Sequence, residues 1–145
     1  EKASKIAVKN FGKVSGSVKA EDNNQVLTKT DLEIGKFIVE KIKKTYPKHN
    51  IIDEEAGFID NQSDCTWVVD PIDGTSNFAQ GIPIYGILPG LLVKDIPIVG
   101  GIALPSFSEI YVAEKGNGAF CNGKKIKVTQ EKNLLNSLHL INIKL

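Results

Sequence analysis

Residues 66–79 read Thr66-Trp67-Val68-Val69-Asp70-Pro71-Ile72-Asp73-Gly74-Thr75-Ser76-Asn77-Phe78-Ala79. A β-branched and aromatic run, Thr66 to Val69, has the composition of a strand and leads straight into an acid. Asp70 and Asp73 then stand three apart around a proline, with Gly74 and the Thr75 hydroxyl directly after them. Two carboxylates held that close repel unless positive charge lies between them, and a divalent cation is the natural candidate. The adjoining Gly-Thr offers a docking place for a phosphate. Asp-Pro and Asp-Gly are also ordinary turn dipeptides, so turn chemistry is the competing explanation.

Outward from this stretch, the elements on either side define the layers. Thr30-Asp31-Leu32-Glu33 matches a capping box with Thr30 as N-cap, followed by Ile34, Phe37, Ile38 and Ile42 on one helical face. The helix is expected to stop near Tyr46, ahead of Pro47. Residues 1–14 read as the end of another helix, and residues 15–25 and 56–64 as loops. Ile51-Ile52 reads as a short strand running into Asp53-Glu54-Glu55, and Thr66–Val69 as a second, broken by Asp-Pro-Ile-Asp-Gly. Segments 84–93 and 96–104 form a hairpin around Lys94-Asp95, with Pro89 marking a bulge or an edge. Residues 108–114 alternate as a further strand, and Gly116-Asn117-Gly118 and Asn122-Gly123 are turns between short strands. A new apolar pattern begins at 138–145. The order is α+β, a layered arrangement with a mostly antiparallel sheet.

Charge is distributed unevenly along the 145 residues. Net charge is +1, yet no lysine stands between Lys48 and Lys94, where seven of the 17 acids lie. The remainder carries 18 lysines against ten acids, and the chain has no arginine. A nucleic-acid binder needs a basic stripe with interleaved aromatics, which an acidic centre does not provide. Any phosphate must be held by backbone N–H groups, lysine or metal rather than by a guanidinium fork. No apolar run is long enough to cross a membrane and no signal segment opens the chain, so a cytoplasmic location is expected. Cys65 and Cys121, 56 residues apart, suit packed, reduced thiols. His49 and His139 are isolated.

Glu54, Glu55, Asp70 and Asp73 close two expected strands, and they converge if those strands are neighbours. Hard oxygen donors of this kind select Mg²⁺ or Mn²⁺ rather than zinc. Asp31, in the first turn of a helix, is by itself explained by a favourable position in the helix dipole. Two glycine patterns come to little. Gly116-x-Gly118 lacks the third glycine of a dinucleotide fingerprint. Gly118 to Lys125 resembles a P-loop but has lysine where Ser or Thr must bind Mg²⁺, and a strand rather than a helix follows it.

Together these segments resemble the inositol monophosphatase family of Mg²⁺-dependent, lithium-sensitive phosphatases. The resemblance rests on Trp67-Val-Val-Asp70-Pro-Ile-Asp73-Gly-Thr75-Ser-Asn77-Phe78, with Thr28-Lys-Thr30-Asp31, Ile52-Asp-Glu54-Glu55 and Lys115-Gly-Asn-Gly-Ala-Phe-Cys-Asn-Gly123 in the family's order. It runs from about Lys19 to Thr129 and implies the layered α/β sandwich of the sugar phosphatases. It further implies that Glu54, Asp70 and the Ile72 carbonyl hold one Mg²⁺, and that Asp70 bridges to a second with Asp73. The N–H groups of Gly74 and Thr75 would meet the phosphate of a small phosphomonoester substrate. Asp31 and the Thr75 hydroxyl would orient and deprotonate the attacking water. Homodimers are usual in that family.

Departures accompany the matches. Asp53 stands where the family usually has glycine, and Gly35 where an acid is common. Family members are longer, and their second half carries an aspartate that completes the second cation site, with residues that recognise the alcohol. Residues 1–145 are therefore expected to be the N-terminal metal- and phosphate-binding half of such an enzyme, with the C-terminal part absent. The rival expectations are a non-catalytic chain that keeps the fold, and a nucleotide-binding module on the Gly118 loop.

Overall fold

A computed structural model describes residues 1–13, 17–18, 26–130 and 132, with backbone alone at 17, 18 and 26. The apolar pattern at 138–145 and His139 lie outside the described residues. In chain order the elements are α1 (Lys2–Asn10), β1 (Ser17–Val18), β2 (Val26–Leu27), α2 (Lys29–Thr45), β3 (Asn50–Asp53), β4 (Gly57–Ile59), β5 (Cys65–Asp73), α3 (Thr75–Gln80), β6 (Gly86–Val93), β7 (Ile96–Leu104), β8 (Glu109–Glu114), β9 (Gly118–Cys121) and β10 (Lys124–Ile126). A single 3₁₀ turn, Pro105–Phe107, joins β7 to β8. Eight strands form one sheet in the order β10-β9-β8-β7-β6-β5-β3-β4, and β1 pairs with β2 apart from it. Among the described residues only β3 and β5 run parallel, and every other pair is antiparallel. The α+β, mostly antiparallel expectation holds.

Two expected loops contain strands. Residues 17–18 pair with 26–27, and residues 57–59 fold back on β3 as a short hairpin. The strand through Trp67 is not broken at Asp-Pro-Ile-Asp either. β5 continues to Asp73, pairing Asp70 with Leu88 and Asp73 with Gly86, so it carries one extra residue against β6. Pro71 has no N–H to lose, which makes this a low-cost place for a bulge. Pro89 lies inside a central strand, not at an edge, and the bulge between β6 and β7 falls at Leu91/Leu92. A Cβ on Gly101 would sit 3.4 Å from Pro89 Cγ, so a glycine gives the ring its room.

The start of α2 also differs from expectation. The N-cap is Thr28, not Thr30, and the reciprocal partner is Asp31, not Glu33. The Thr28 hydroxyl accepts from the Thr30 N–H at 3.2 Å and donates to Asp31 Oδ2, which also accepts from the Thr28 N–H at 3.0 Å. Two Thr-x-x-acid frames overlap in Thr28-Lys-Thr-Asp-Leu-Glu33. The earlier one prevails because it turns Asp31 into the interior, whereas Glu33 remains exposed beside Asn10. Thr28→Val keeps the volume but removes both hydroxyl bonds. It is expected to cost about 1–2 kcal/mol in chemical denaturation, with Thr28→Ser close to wild type.

Packing ties these elements to the central strands. Ala7, Ile34, Ile72, Phe78, Tyr85 and Ile87 make one buried cluster, joining α1, α2 and α3 to β5 and β6. Val39, Ile42, Ile51 and Val69 make a second beneath the C-terminal half of α2. At its margin Trp67 donates to His49 Nδ1 at 3.1 Å, and Tyr46 stacks on the His49 ring. His49 therefore belongs to an aromatic cluster remote from the acids of the site. Cys65 and Cys121 are free and half-buried. Among the described residues no helix is long and apolar enough to cross a membrane.

Candidate active site

The parallel pairing of β3 with β5 aligns their C-terminal ends, with Asp53 opposite Val69, and the Glu54 N–H donates to the Val69 carbonyl at 3.0 Å. Glu54 therefore leaves β3 beside the point where β5 reaches Asp70. In a regular strand residues three apart point to opposite faces; the extra residue of the β5 bulge cancels that alternation. Asp70 accordingly feels Glu54 and Asp73 together. Burial, the Glu54 carboxylate beside it and the charge of Asp73 push the Asp70 carboxyl up to about 7. Glu54 and Asp73 are themselves exposed and Asp70 is half-buried.

Asp31 arrives from the other layer. It is 1 % exposed, and Thr75, the first residue of α3, stands against it. The Thr75 Oγ1 lies 3.0 Å from Asp31 Oδ1 and 2.8 Å from the Ile72 carbonyl oxygen. A hydroxyl has one proton for these two acceptors. When Asp31 is ionised the proton is drawn to the carboxylate; when Asp31 is protonated it donates to Oγ1, and the hydroxyl turns to Ile72. Burial raises the Asp31 carboxyl above the usual range, opposed by its hydrogen bonds from Thr28 and Thr75. The arrangement sets one hydroxyl between a buried carboxyl of α2 and a backbone carbonyl of β5.

Gly74 takes φ of 82°, a left-handed conformation, and a Cβ there would stand 3.1 Å from the Ile84 carbonyl. Glycine thus lets the chain turn sharply from β5 into α3. The Phe78 N–H donates to the Gly74 carbonyl at 3.0 Å, and Asn77 Nδ2 donates to the Ile84 carbonyl at 2.8 Å. A cleft of about 470 Å³ opens against Asp73 and Gly74, walled by Tyr85, Leu88 and Tyr111. A separate cleft of about 550 Å³ between α1 and β8 contains none of the acids of the site.

Asp31, Ile72 and Thr75 thus converge, as do Glu54, Asp70 and Asp73, with Gly74 joining the two sets. Glu55 is half-buried and lines a groove with Lys36 and Lys43 of α2. Among the described residues no three carboxylate, histidine or cysteine side chains form a closed metal cage. The donors nevertheless fit a hard cation that keeps water or substrate oxygens in its shell. They are carboxylates, and Asp70 Oδ1 is buried with no hydrogen-bond partner. Two participants escaped sequence reasoning. Thr28 stands in the motif that carries the resemblance but its capping role is not legible there, and Gly35 and Asp53 stand out as departures without any sign that they meet.

Comparison with known proteins accords with the fold. The sequence matches the inositol monophosphatase family over residues 1–144, beyond the 19–129 segment that carries the recognisable motifs. It is 36% identical over 130 residues to a fructose-1,6-bisphosphatase/inositol-1-monophosphatase of Aquifex aeolicus, covering 89% of this chain and 49% of the relative. Against inositol monophosphatase 1 of Sus scrofa it is 36% identical over 117 residues, 78% of this chain and 42% of that protein. Among solved structures, a Thermotoga maritima IMPase superposes with a TM-score of 0.83 at 33% identity, covering 89% of this chain and 50% of that one. The extragenic suppressor protein suhB of Bartonella henselae gives 0.85 at 30% identity, covering 92% and 52%. The chain spans about half the length of the relatives it matches. The match over nearly all of its length, and the shared architecture, place this chain in the inositol monophosphatase family, a family of phosphatases.

Proposed function

We propose that residues 1–145 are the metal- and phosphate-binding part of a Mg²⁺-dependent phosphomonoesterase acting on an inositol phosphate or a related sugar phosphate. The observation that carries this reading is the Thr75 hydroxyl held between Asp31 and the Ile72 carbonyl, next to the Glu54–Asp70–Asp73 acids. Glu54, Asp70 and the Ile72 carbonyl would hold one Mg²⁺, and Asp70 with Asp73 a second. When bound, Mg²⁺ neutralises phosphate charge and makes water a stronger acid. The chain's own residues supply the rest. Asp31 polarises the Thr75 hydroxyl and accepts a proton by way of it. Buried and raised in pKa, Asp31 is a better proton acceptor than an exposed carboxylate. The Gly74 and Thr75 N–H groups meet the phosphate, a role that the absence of arginine leaves to the backbone. Phosphoryl transfer needs positioning and charge more than a covalent nucleophile, so this inventory suffices.

The test is phosphate release by the protein together with the second half that its relatives carry. Release from inositol phosphate is expected to stop on chelation and to return with added Mg²⁺. Release that is indifferent to chelation sinks the reading. The half-length coverage favours a second reading for the isolated chain, namely a cation-binding but inactive half. Calorimetric titration with Mg²⁺ separates the two. Saturable binding without phosphate release identifies the inactive half, and turnover by this chain alone removes that reading.

A further inference from the structure

Asp53, at the end of β3, is 3 % exposed. Its Oδ1 accepts from the Glu55 N–H at 3.0 Å and from the Ala56 N–H at 2.7 Å, closing the turn that carries Glu54. Its Oδ2 is buried with no hydrogen-bond partner and points at α2. There it meets Gly35: a Cβ on that residue would stand 2.9 Å from Oδ2 and 3.1 Å from Pro71 Cγ. The first distance is shorter than real Cβ contacts allow. Any side chain at 35 would therefore drive the carboxylate or Pro71 outward. Burying a half-satisfied carboxylate is unfavourable, so its presence calls for a compensating role.

We propose that Asp53 is a positioning residue. It locks the 54–56 turn so that the Glu54 carboxylate stays against Asp70, and Gly35 is the seat the lock requires. The same contact sets how closely α2, which carries Asp31, approaches β3 and β5. Gly35 and Asp53 are also the two departures from the resembling family's pattern noted above, and they lie in contact. The functional half of this inference rests on the reading of Glu54 as a cation ligand; the lock itself does not.

Hydrogen exchange on this chain tests the lock without any metal. In Asp53→Ala the Glu55 and Ala56 amides are expected to exchange on the order of tenfold faster or more. In Asp53→Asn, which keeps an acceptor and the volume, they are expected to stay near wild type. Gly35→Ala should mimic Asp53→Ala; if it fails to fold, the Asp53 pair decides alone. Calorimetry with Mg²⁺ then reads the consequence. Affinity should fall about 10–100-fold in Asp53→Ala, the range of outer-shell losses, and be largely kept in Asp53→Asn. Equal exchange in wild type and Asp53→Ala overturns the proposal, as does Asp53→Asn exchanging as fast as Asp53→Ala. Unchanged Mg²⁺ affinity in Asp53→Ala overturns the positioning role. A wild-type chain that takes up no Mg²⁺ while the exchange pattern holds removes the ligand reading of Glu54 and leaves the lock standing.

Discussion

Asp31→Asn is expected to lower phosphate release by about 10²–10⁴-fold, the usual contribution of a positioned general base, while leaving the fold intact. The amide can occupy the carboxylate's place by turning its oxygen toward Thr28, where it accepts the bonds that Asp31 Oδ2 accepts now. Its Nδ2 then donates to Thr75 Oγ1, and the Thr75 hydroxyl is committed to the Ile72 carbonyl. The bonds to Thr28 and Thr75 are kept, but no acceptor remains to draw a proton from Thr75. Asp31→Ala differs in kind. It strips the N-cap of its reciprocal partner and leaves the buried Thr28 N–H unmatched, costing about 2–3 kcal/mol of stability as well. Steady-state assay of the full-length protein with parallel denaturation curves separates the two. An Asp31→Asn variant with near-normal turnover removes Asp31 from the chemistry.

Phe78→Ala is expected to have the largest effect on stability, about 3–5 kcal/mol. Phe78 is fully buried, and its ring lies 4.9 Å from Tyr85, edge-on, and 5.8 Å from Phe11. Truncation empties the space where α1, α3 and β6 meet, and the aromatic neighbours are held by their own packing, so little collapse can fill it. Against a total stability of roughly 5–15 kcal/mol for an ordinary domain, that loss is a large fraction. The backbone N–H of Phe78, which the substitution keeps, closes on the Gly74 carbonyl at the start of α3. The denaturant midpoint should fall steeply. A shift under about 1 kcal/mol would mean that the cluster repacks freely around the void.

How much was legible varied with the range of the interaction. The helix ending ahead of Pro47, the hairpin at Lys94-Asp95 and the turns at 116–118 and 122–123 follow from local chemistry, and the structure contains them. The small hairpin at 57–59 was missed because its strand is three residues long and, Ile59 apart, exposed. By composition alone Asp70-Pro71-Ile72-Asp73 reads as a break. The strand survives because β6 pairs on both sides of the extra residue, a support that composition does not reveal. The capping frame was misplaced by two residues because both frames satisfy the same local rule, and only burial distinguishes them.

The stretch from Trp67 to Phe78 determined the strand, the sharp turn, the family resemblance and the kinds of donor at the site. Those depend on residue identity and on neighbours within a few positions. Tertiary structure alone decided which carboxylates face one another. The parallel register of β3 on β5 sets Glu54 beside Asp70, and the bulge turns Asp73 to the same side. The approach of α2 over Gly35 brings Asp31 within 3.0 Å of Thr75, 44 residues along the chain. Contacts over that separation depend on how whole layers pack and not on neighbouring residues, so no local pattern encodes them.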